Sequence, residues 1–504
     1  MDLTPGRREP PPTRADTTTA EERPNAPTSS AASGVPGEPA ALAPEPAPVI
    51  PAGKFVQGSI LRHTLIMTMT GAVGALSIFL VDLLSLLYVS WLGRTELKAA
   101  VGFASQVLLY PVSINIGLTI AVTALVSRAI GRGDRPAARR LAASGLTHSA
   151  LISAVVAVGV IGFADPMLHA LGARGETFGI ARSYLWITLP ANVAFALGMT
   201  LSGLLRSLGD ARRAMLVTLS GALVTAIVDP VLIFGFGLGI TGAAISTVVS
   251  RLVFLIVGLH GAVAIHGLVQ RPRLAEAWRD AAPIVTIALP AMLTNIATPV
   301  GNGYALHVFA GFGDDAVAAS AIIDRVVYVG FAVIFALTGA VGPIIGQNLG
   351  ARQFGRVRET LANCFLVTTF YALMVWLCLA ATWPWIVGLF HANPQTAAYI
   401  EFFCRYGVSA WLFISLLFVA NASFNNLGYP LLSTTFNWGR ATLGTLPFAT
   451  LGAAWGGVEG AQLGVAAGAA IFGTLALITA FLAVGRLTKR EDPSRFDPRQ
   501  AALP

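Results

Sequence analysis

About twelve mostly apolar stretches, each near or above the roughly 20 residues a helix needs to cross a bilayer's hydrocarbon core, follow one another between Leu61 and Val484. Only 12% of the 504 residues are charged and 55% are hydrophobic, and the mean hydropathy is +0.70. A soluble globular protein carries about 25% charged residues. A soluble chain of this length would divide into domains that each need a polar surface, and the charges for those surfaces are missing. The expected fold class is an all-α membrane protein with twelve transmembrane helices, its main partner the lipid bilayer.

The predicted spans lie near 64–90, 99–127, 144–163, 181–205, 215–236 and 242–266, then near 281–309, 318–345, 361–385, 397–424, 431–451 and 464–484. Basic residues cluster in alternate loops. Arg128, Arg132, Arg135, Arg139 and Arg140 follow the second span, and Arg206, Arg212 and Arg213 the fourth. Arg271, Arg273 and Arg279 follow the sixth, Arg352, Arg356 and Arg358 the eighth, and Arg486, Lys489 and Arg490 the last. The intervening loops hold only Arg94, Lys98, Arg174 and Arg182. Lys and Arg are retained on the cytoplasmic side, so both termini are expected in the cytoplasm of a bacterial inner (plasma) membrane protein.

The net charge of +8 and pI near 9.7 come from these loop clusters rather than from one basic face, so nucleic acid is not expected as a partner. Cys364, Cys378 and Cys404 all sit in apolar stretches, with no Cys/His spacing for a metal and no disulfide framework. No Walker loop, HExxH pair or GxSxG elbow is present. An enzyme is not expected, and neither catalytic residues, metal nor cofactor are assigned. Residues 1–55 are rich in Pro, Ala and Thr and read as a disordered tail without the apolar core and cleavage site of a signal peptide.

Three short segments recur at a separation of roughly 220 residues. Trp91-Leu92-Gly93 corresponds to Gly311-Phe312-Gly313, Ser127-Arg128-Ala129-Ile130-Gly131 to Gly346-Gln347-Asn348-Leu349-Gly350, and Ser207-Leu208-Gly209 to Asn426-Leu427-Gly428. Six spans per half make a parallel repeat about an axis along the membrane normal, with the substrate site expected between the halves near the midplane. The expected layout is a tail (1–55), a six-helix lobe (59–266), an inter-lobe linker (267–280), a second six-helix lobe (281–486) and a C-terminal tail (487–504), in a monomer. Such architecture favours a secondary transporter of a small organic molecule.

Ionisable residues inside spans are costly and usually functional. Asp82 in the first span has no basic neighbour in sequence, and Asp229 precedes Pro230 in the fifth. A helix kink could employ Asp229 structurally, whereas Asp82 has no such excuse. Asp324 and Arg325 in the eighth span, Arg251 in the sixth and Arg440 in the eleventh form a possible second polar site. Glu401 and Arg405 are four residues apart and are expected to pair. The repeat places Gly301–Asn302 opposite Asp82 and Phe448 opposite Asp229, so ion coupling is expected in the first lobe alone.

Several ordered segments carry a family likeness: Val81-Asp82 with Ser90-Trp91-Leu92-Gly93, Ala99-Ala100-Val101-Gly102, and Asp229-Pro230-Val231-Leu232-Ile233-Phe234-Gly235. Gly242-Ala243-Ala244-Ile245-Ser246-Thr247 and Gly346-Gln347-Asn348-Leu349-Gly350-Ala351 continue it. Over roughly residues 59–485 the chain resembles the multidrug and toxic compound extrusion (MATE) transporters, especially the branch named for DNA-damage-inducible protein F. The resemblance implies a V-shaped pair of six-helix bundles that exports cationic or amphipathic organic compounds in exchange for H⁺ or Na⁺. It also implies ion-coupling roles for Asp82, Asp229 and Thr247, and Thr225 is expected to belong to the same ion-coupling set. Thr225 stands where the family usually has Asn, Thr70-Gly71 replaces a proline, and Ile78 replaces a Tyr found in some relatives. Relatives that bind Na⁺ in the second lobe use acids in the seventh and tenth helices; the seventh span here has none, which favours H⁺. A flippase for lipid-linked sugars, of the same superfamily, is the alternative.

Overall fold

A computed structural model describes residues 53–92 and 95–490. Residues 1–52 of the expected tail, Gly93 and Arg94 of the first loop, and 491–504 lie outside the described residues. In the first half the helices are α1 (Ile60–Trp91), α2 (Thr95–Gly131) and α3 (Arg135–Ala170). They are followed by α4 (Gly175–Thr188 and Asn192–Ser207, bent by 53°), α5 (Ala211–Pro230, extended by Val231–Gly235) and α6 (Gly239–Leu259, extended by His260–Ile265). The second half holds α7 (Leu274–Ala310), α8 (Asp314–Gly330 and Ala332–Gly350), α9 (Phe354–Phe390) and α10 (Pro394–Phe402, Phe403–Gly407 and Ser409–Leu427).

From Pro430 the chain stays helical almost to the end, but Gly456 and Gly457 leave helical φ/ψ. Gly457 has φ +59°, a conformation that glycine adopts without steric cost. The chain doubles back there, giving α11 (430–455) and α12 (458–490). A Cβ at Gly464 would collide with the Phe448 carbonyl, and one at Gly468 with the Gly444 carbonyl. Glycines at these crossings let two backbones touch, the packing used between helices in lipid. Twelve spans result among the described residues, as expected.

Each half has its own apolar centre. Val122, Val126, Leu201, Leu204, Val217 and Phe254 pack in the first, and Leu337, Val341, Leu361, Leu417 and Phe424 in the second. Other large apolar side chains face outwards, such as Leu151, Val155 and Val158 along α3 and Leu366, Phe370 and Leu377 along α9. In water such stripes would be a liability; against acyl chains they are the solvent-matched surface.

The halves meet where α2 and α8 end. Leu118, Ala121 and Ala124 of α2 pack on Ile284, Ile287 and Ala288 of α7. Further along, an added Cβ at Gly131 would strike the Gln347 carbonyl, and one at Gly350 the Arg128 carbonyl. Two repeat-related side chains then reach across between the halves. Arg128 donates to the Asn426 carbonyl (2.8 Å from Nη2), and Gln347 Nε2 donates to the Ser207 carbonyl (2.6 Å). Arg128 and Gln347 are repeat equivalents, as are Ser207 and Asn426, so the junction is a two-fold clasp.

Gly53–Phe55, read from sequence as tail, belong to this junction. Lys54–Val56 form one 3₁₀ turn with Phe55 fully buried. The Phe55 amide donates to Gln347 Oε1 (2.9 Å), and Lys54 donates to the Gly209 carbonyl (2.9 Å). The linker expected at 267–280 is also shorter than expected. Leu274–Asp280 form the first turns of α7, with Glu276 favourably placed at the helix N-terminus and Trp278 85% exposed. Its polar residues mark the edge of the hydrocarbon, not the end of the helix.

Candidate functional site

Asp82 and Ser85 are three residues apart on α1 and share a face. Ser85 Oγ donates a short hydrogen bond to Asp229 Oδ2 across the gap between α1 and α5. Asp229 is 1% exposed and its Oδ1 has no hydrogen-bond partner among the described residues. The buried Ser246 hydroxyl of α6 is a further close neighbour, although it falls outside hydrogen-bonding geometry. Asp82 is exposed and lies close enough to Asp229 for the two charges to interact. Pro230 ends the regular part of α5, yet the Asp229 carboxylate does not cap the backbone there; it engages the neighbouring helix.

The rest of the first-lobe cluster comes from α4 and α6. Tyr184 hydroxyl lies 3.4 Å from Thr247 Oγ1, and Thr247 also donates to its own helix at Ala243 (3.0 Å). Thr225, one turn before Asp229, donates to the Gly221 carbonyl (3.1 Å) and so serves its own helix. Arg251, one turn beyond Thr247, donates to the Thr188 carbonyl (2.9 Å) with its guanidinium over the Phe195 ring (5.3 Å). The α4 bend falls at Pro190, where the regular helix ladder is interrupted. Arg251 satisfies a carbonyl at that break.

The second polar site suggested by sequence is brought together only in part: Asp324 and Arg440 line one large cavity, whereas Arg251 and Arg325 are engaged elsewhere. Arg251 belongs to the first lobe. Arg325 donates to the Ala321 carbonyl of its own helix (2.9 Å), while Asp324 lines a large cavity. Adjacent helical residues point about 100° apart, so Arg325 acts on Asp324 electrostatically while its guanidinium turns to the Ala321 carbonyl. Glu401 and Arg405 pair as expected (3.0 Å).

The cavity, about 1040 Å³, is walled by both halves. It runs from Arg206 and Asn426, beside the clasp, to Leu171 and Phe309, towards the far ends of α3 and α7. Ile78 of α1 lines it, and the next residue, Phe79, lies against Tyr328 (5.6 Å) and Phe335 (6.1 Å) of the second half. One helix therefore touches both the aspartate pair and the cavity wall. Sequence reading also missed Asp280. It is buried at the start of α7, 3.2 Å from Arg140 Nε and bonded by Ser144 (2.8 Å); its polar sequence surroundings hid it.

The MatE family model matches residues 72–231 and 290–451, two segments displaced by the same roughly 220 residues as the repeat. The chain is 30% identical over 424 residues to a FAD transporter of Shewanella oneidensis, covering 81% of this chain and 92% of that one. It is 26% identical to the probable multidrug resistance protein YpnP of Bacillus subtilis, covering 82% and 92%. Among solved structures, the VcmN MATE transporter of Vibrio cholerae superposes with a TM-score of 0.80 at 24% identity, over 86% of this chain and 98% of that one. An outward-facing multidrug resistance MATE transporter of the MOP superfamily superposes with a TM-score of 0.82 at 20% identity, over 88% and 100%. With matched halves, the twelve-helix fold and a central cavity between them, the chain belongs to the MatE family of multidrug and toxic compound extrusion proteins, membrane transporters rather than enzymes.

Proposed function

We propose that this transporter is a secondary active antiporter that exports small amphipathic organic compounds in exchange for H⁺, with Asp82 and Asp229 as the coupling pair. The observation that carries this reading is the placement of α1, which holds Asp82 and Ser85 against Asp229 on one side and lines the cargo cavity on the other. A bond donated to a charged carboxylate is roughly twice as strong as one between neutral groups. Protonating Asp229 weakens the Ser85 link and changes how α1 is held. A ligand shifts a two-state equilibrium only through its different affinity for the two states, and this link gives the proton such a difference. Exposed Asp82 is the port through which the proton exchanges, and Thr247 and Tyr184 complete the polar surroundings.

The second half supports H⁺ over Na⁺. Its α10 acid, Glu401, is engaged by Arg405, and Asp280 of α7 by Arg140. A lipid-linked-sugar flippase calls for several cavity cations, whereas Arg206 and Arg440 are the two basic residues among the described lining. If the basic loops face the cytoplasm, the clasp closes the inner side and this is an outward-open state. The lobes (59–266 and 281–486) then rock about it in a monomer of the bacterial inner membrane.

The test is ethidium transport by inverted vesicles, with H⁺ and Na⁺ gradients imposed independently. Transport should follow the pH gradient and collapse in Asp82→Asn. Dye movement unimpaired by that substitution overturns the coupling role, and dependence on Na⁺ alone overturns the choice of ion.

A further inference from the structure

Arg440 is a buried cation with very little to hold it. It is 3% exposed and lines the central cavity, at the start of the π turn Arg440–Gly444 that interrupts α11. Such turns inside helices occur frequently at functional sites. Its one side-chain hydrogen bond is a long one, from Nη2 to Thr298 Oγ1 at 3.5 Å, and its Nε has no partner among the described residues. Among the described residues no carboxylate forms an ion pair with it. Asp324, the single acid among the described cavity residues, interacts electrostatically with Arg325 and Tyr328. A guanidinium in this setting is costly unless its donors are met.

The surroundings are built to share an anion. Asn437 donates to the Thr294 carbonyl and to Thr298 Oγ1 (3.3 Å), which orients the threonine hydroxyl beside Arg440. The same cavity carries an aromatic wall in which Trp411, Phe335 and Phe418 contact one another at ring separations of 5.8–6.5 Å. Planar, delocalised guanidinium groups match carboxylate and phosphate oxygens two at a time, and aromatic walls take flat rings.

We propose that Arg440, with Thr298 and Asn437, forms an anion-recognising subsite of the cargo cavity, and that the cargo includes aromatic compounds bearing a phosphate or carboxylate. This rests on the cavity being the cargo site of the proposed exporter. It adds anionic members to the amphipathic class that the exporter takes. The phosphate could arrive on a soluble molecule or on a lipid headgroup, and both present the same oxygens to Arg440.

The experiment measures equilibrium binding to the purified full chain, without any ion gradient, by quenching of flavin fluorescence. Riboflavin 5′-phosphate and riboflavin share one ring system and differ by one phosphate. Wild type should prefer the phosphate ester by about tenfold or more. Arg440→Gln should bring the two within about twofold, and Arg440→Lys should keep an intermediate preference because the charge stays while the fork is lost. Thr298→Val, a second variant with a smaller change of shape, should lower the preference several-fold even if Arg440→Gln folds poorly. Displacement of the flavin by short-chain phosphatidic acid supports the subsite with a lipid-borne anion; displacement by phenyl phosphate alone supports it with a soluble one. Absence of binding to wild type, equal affinity for both flavins, or a preference that survives Arg440→Gln overturns the proposal. Because ethidium transport in vesicles tests the exporter separately, failure of one leaves the other readable.

Discussion

At the clasp, the two halves repeat each other; around the cavity, they do not. Arg128 and Gln347 differ in charge, yet each reaches across to a carbonyl at the end of the opposite half's helix, Asn426 or Ser207. In the interior, Asp82 falls opposite Gly301–Asn302, Asp229 opposite Phe448, and Arg440 opposite Gly221. The first half keeps the Asp82–Asp229 pair, and the second keeps Arg440, which has no carboxylate partner among the described residues. A carbonyl acceptor is present at every residue, so any donor of suitable length preserves the clasp. A carboxyl or guanidinium in a span is costly, and is retained only in the half that uses it.

The largest expected effect is on the asymmetric side. Asp82→Asn should lower pH-driven dye transport in inverted vesicles by at least about tenfold, whereas introducing an aspartate at Asn302 in that variant should not restore it. Restoration would show the halves to be interchangeable after all. On the symmetric side, Gly131→Val places a side chain against the Gln347 carbonyl and should destabilise the closed junction by about 1–3 kcal/mol, read as a fall in Tm of the detergent-solubilised protein. An unchanged Tm would mean that α2 and α8 separate there without cost.

The clasp can be sharpened by exchange. Arg128→Ala and Gln347→Ala should each weaken closure by about 1 kcal/mol, seen as faster thiol labelling of a cysteine introduced at Ser207. Exchanging the two residues, Arg128→Gln with Gln347→Arg, should restore wild-type labelling if only the donor matters. Labelling that stays fast would make the clasp specific to each half.

The smallest effect concerns the basic-end loop of the first half. Asp210 caps α5 by accepting from the Arg213 amide (3.1 Å) and also meets the Arg213 and His266 side chains. Burial by itself would raise its pKa, but the hydrogen bonds from Arg213 and His266 outweigh it and hold the carboxyl below the usual range. The folded value lies below the unfolded one, so this stabilisation is complete above the ordinary carboxylate pKa of about 3.9 and is lost as pH falls through the folded value. Asp210→Asn keeps the cap but loses the charge pairing with Arg213 and His266, and should therefore cost about 0.5–1 kcal/mol at pH 7, with the difference from wild type vanishing in the acid range. A difference that grows with acidity would contradict the assignment.

Much of this architecture was legible in the residues alone. Crossing a bilayer imposes a local length and composition, so twelve apolar runs, their alternating basic loops and the repeat can be counted along the chain. Asp82 and Asp229 stood out for the same reason, as charges in otherwise apolar runs. Sequence could not say that Ser85 would bind Asp229, that Arg251 serves the α4 break, or that Arg440 is left without an acid, because each depends on which helices become neighbours. The clasp was hidden more deeply: its acceptors are backbone carbonyls, which every residue possesses and no sequence displays. The requirement to satisfy hydrocarbon acts on each segment separately and is written along the chain. Cavity, clasp and coupling pair arise between segments, and only packing brings their parts together.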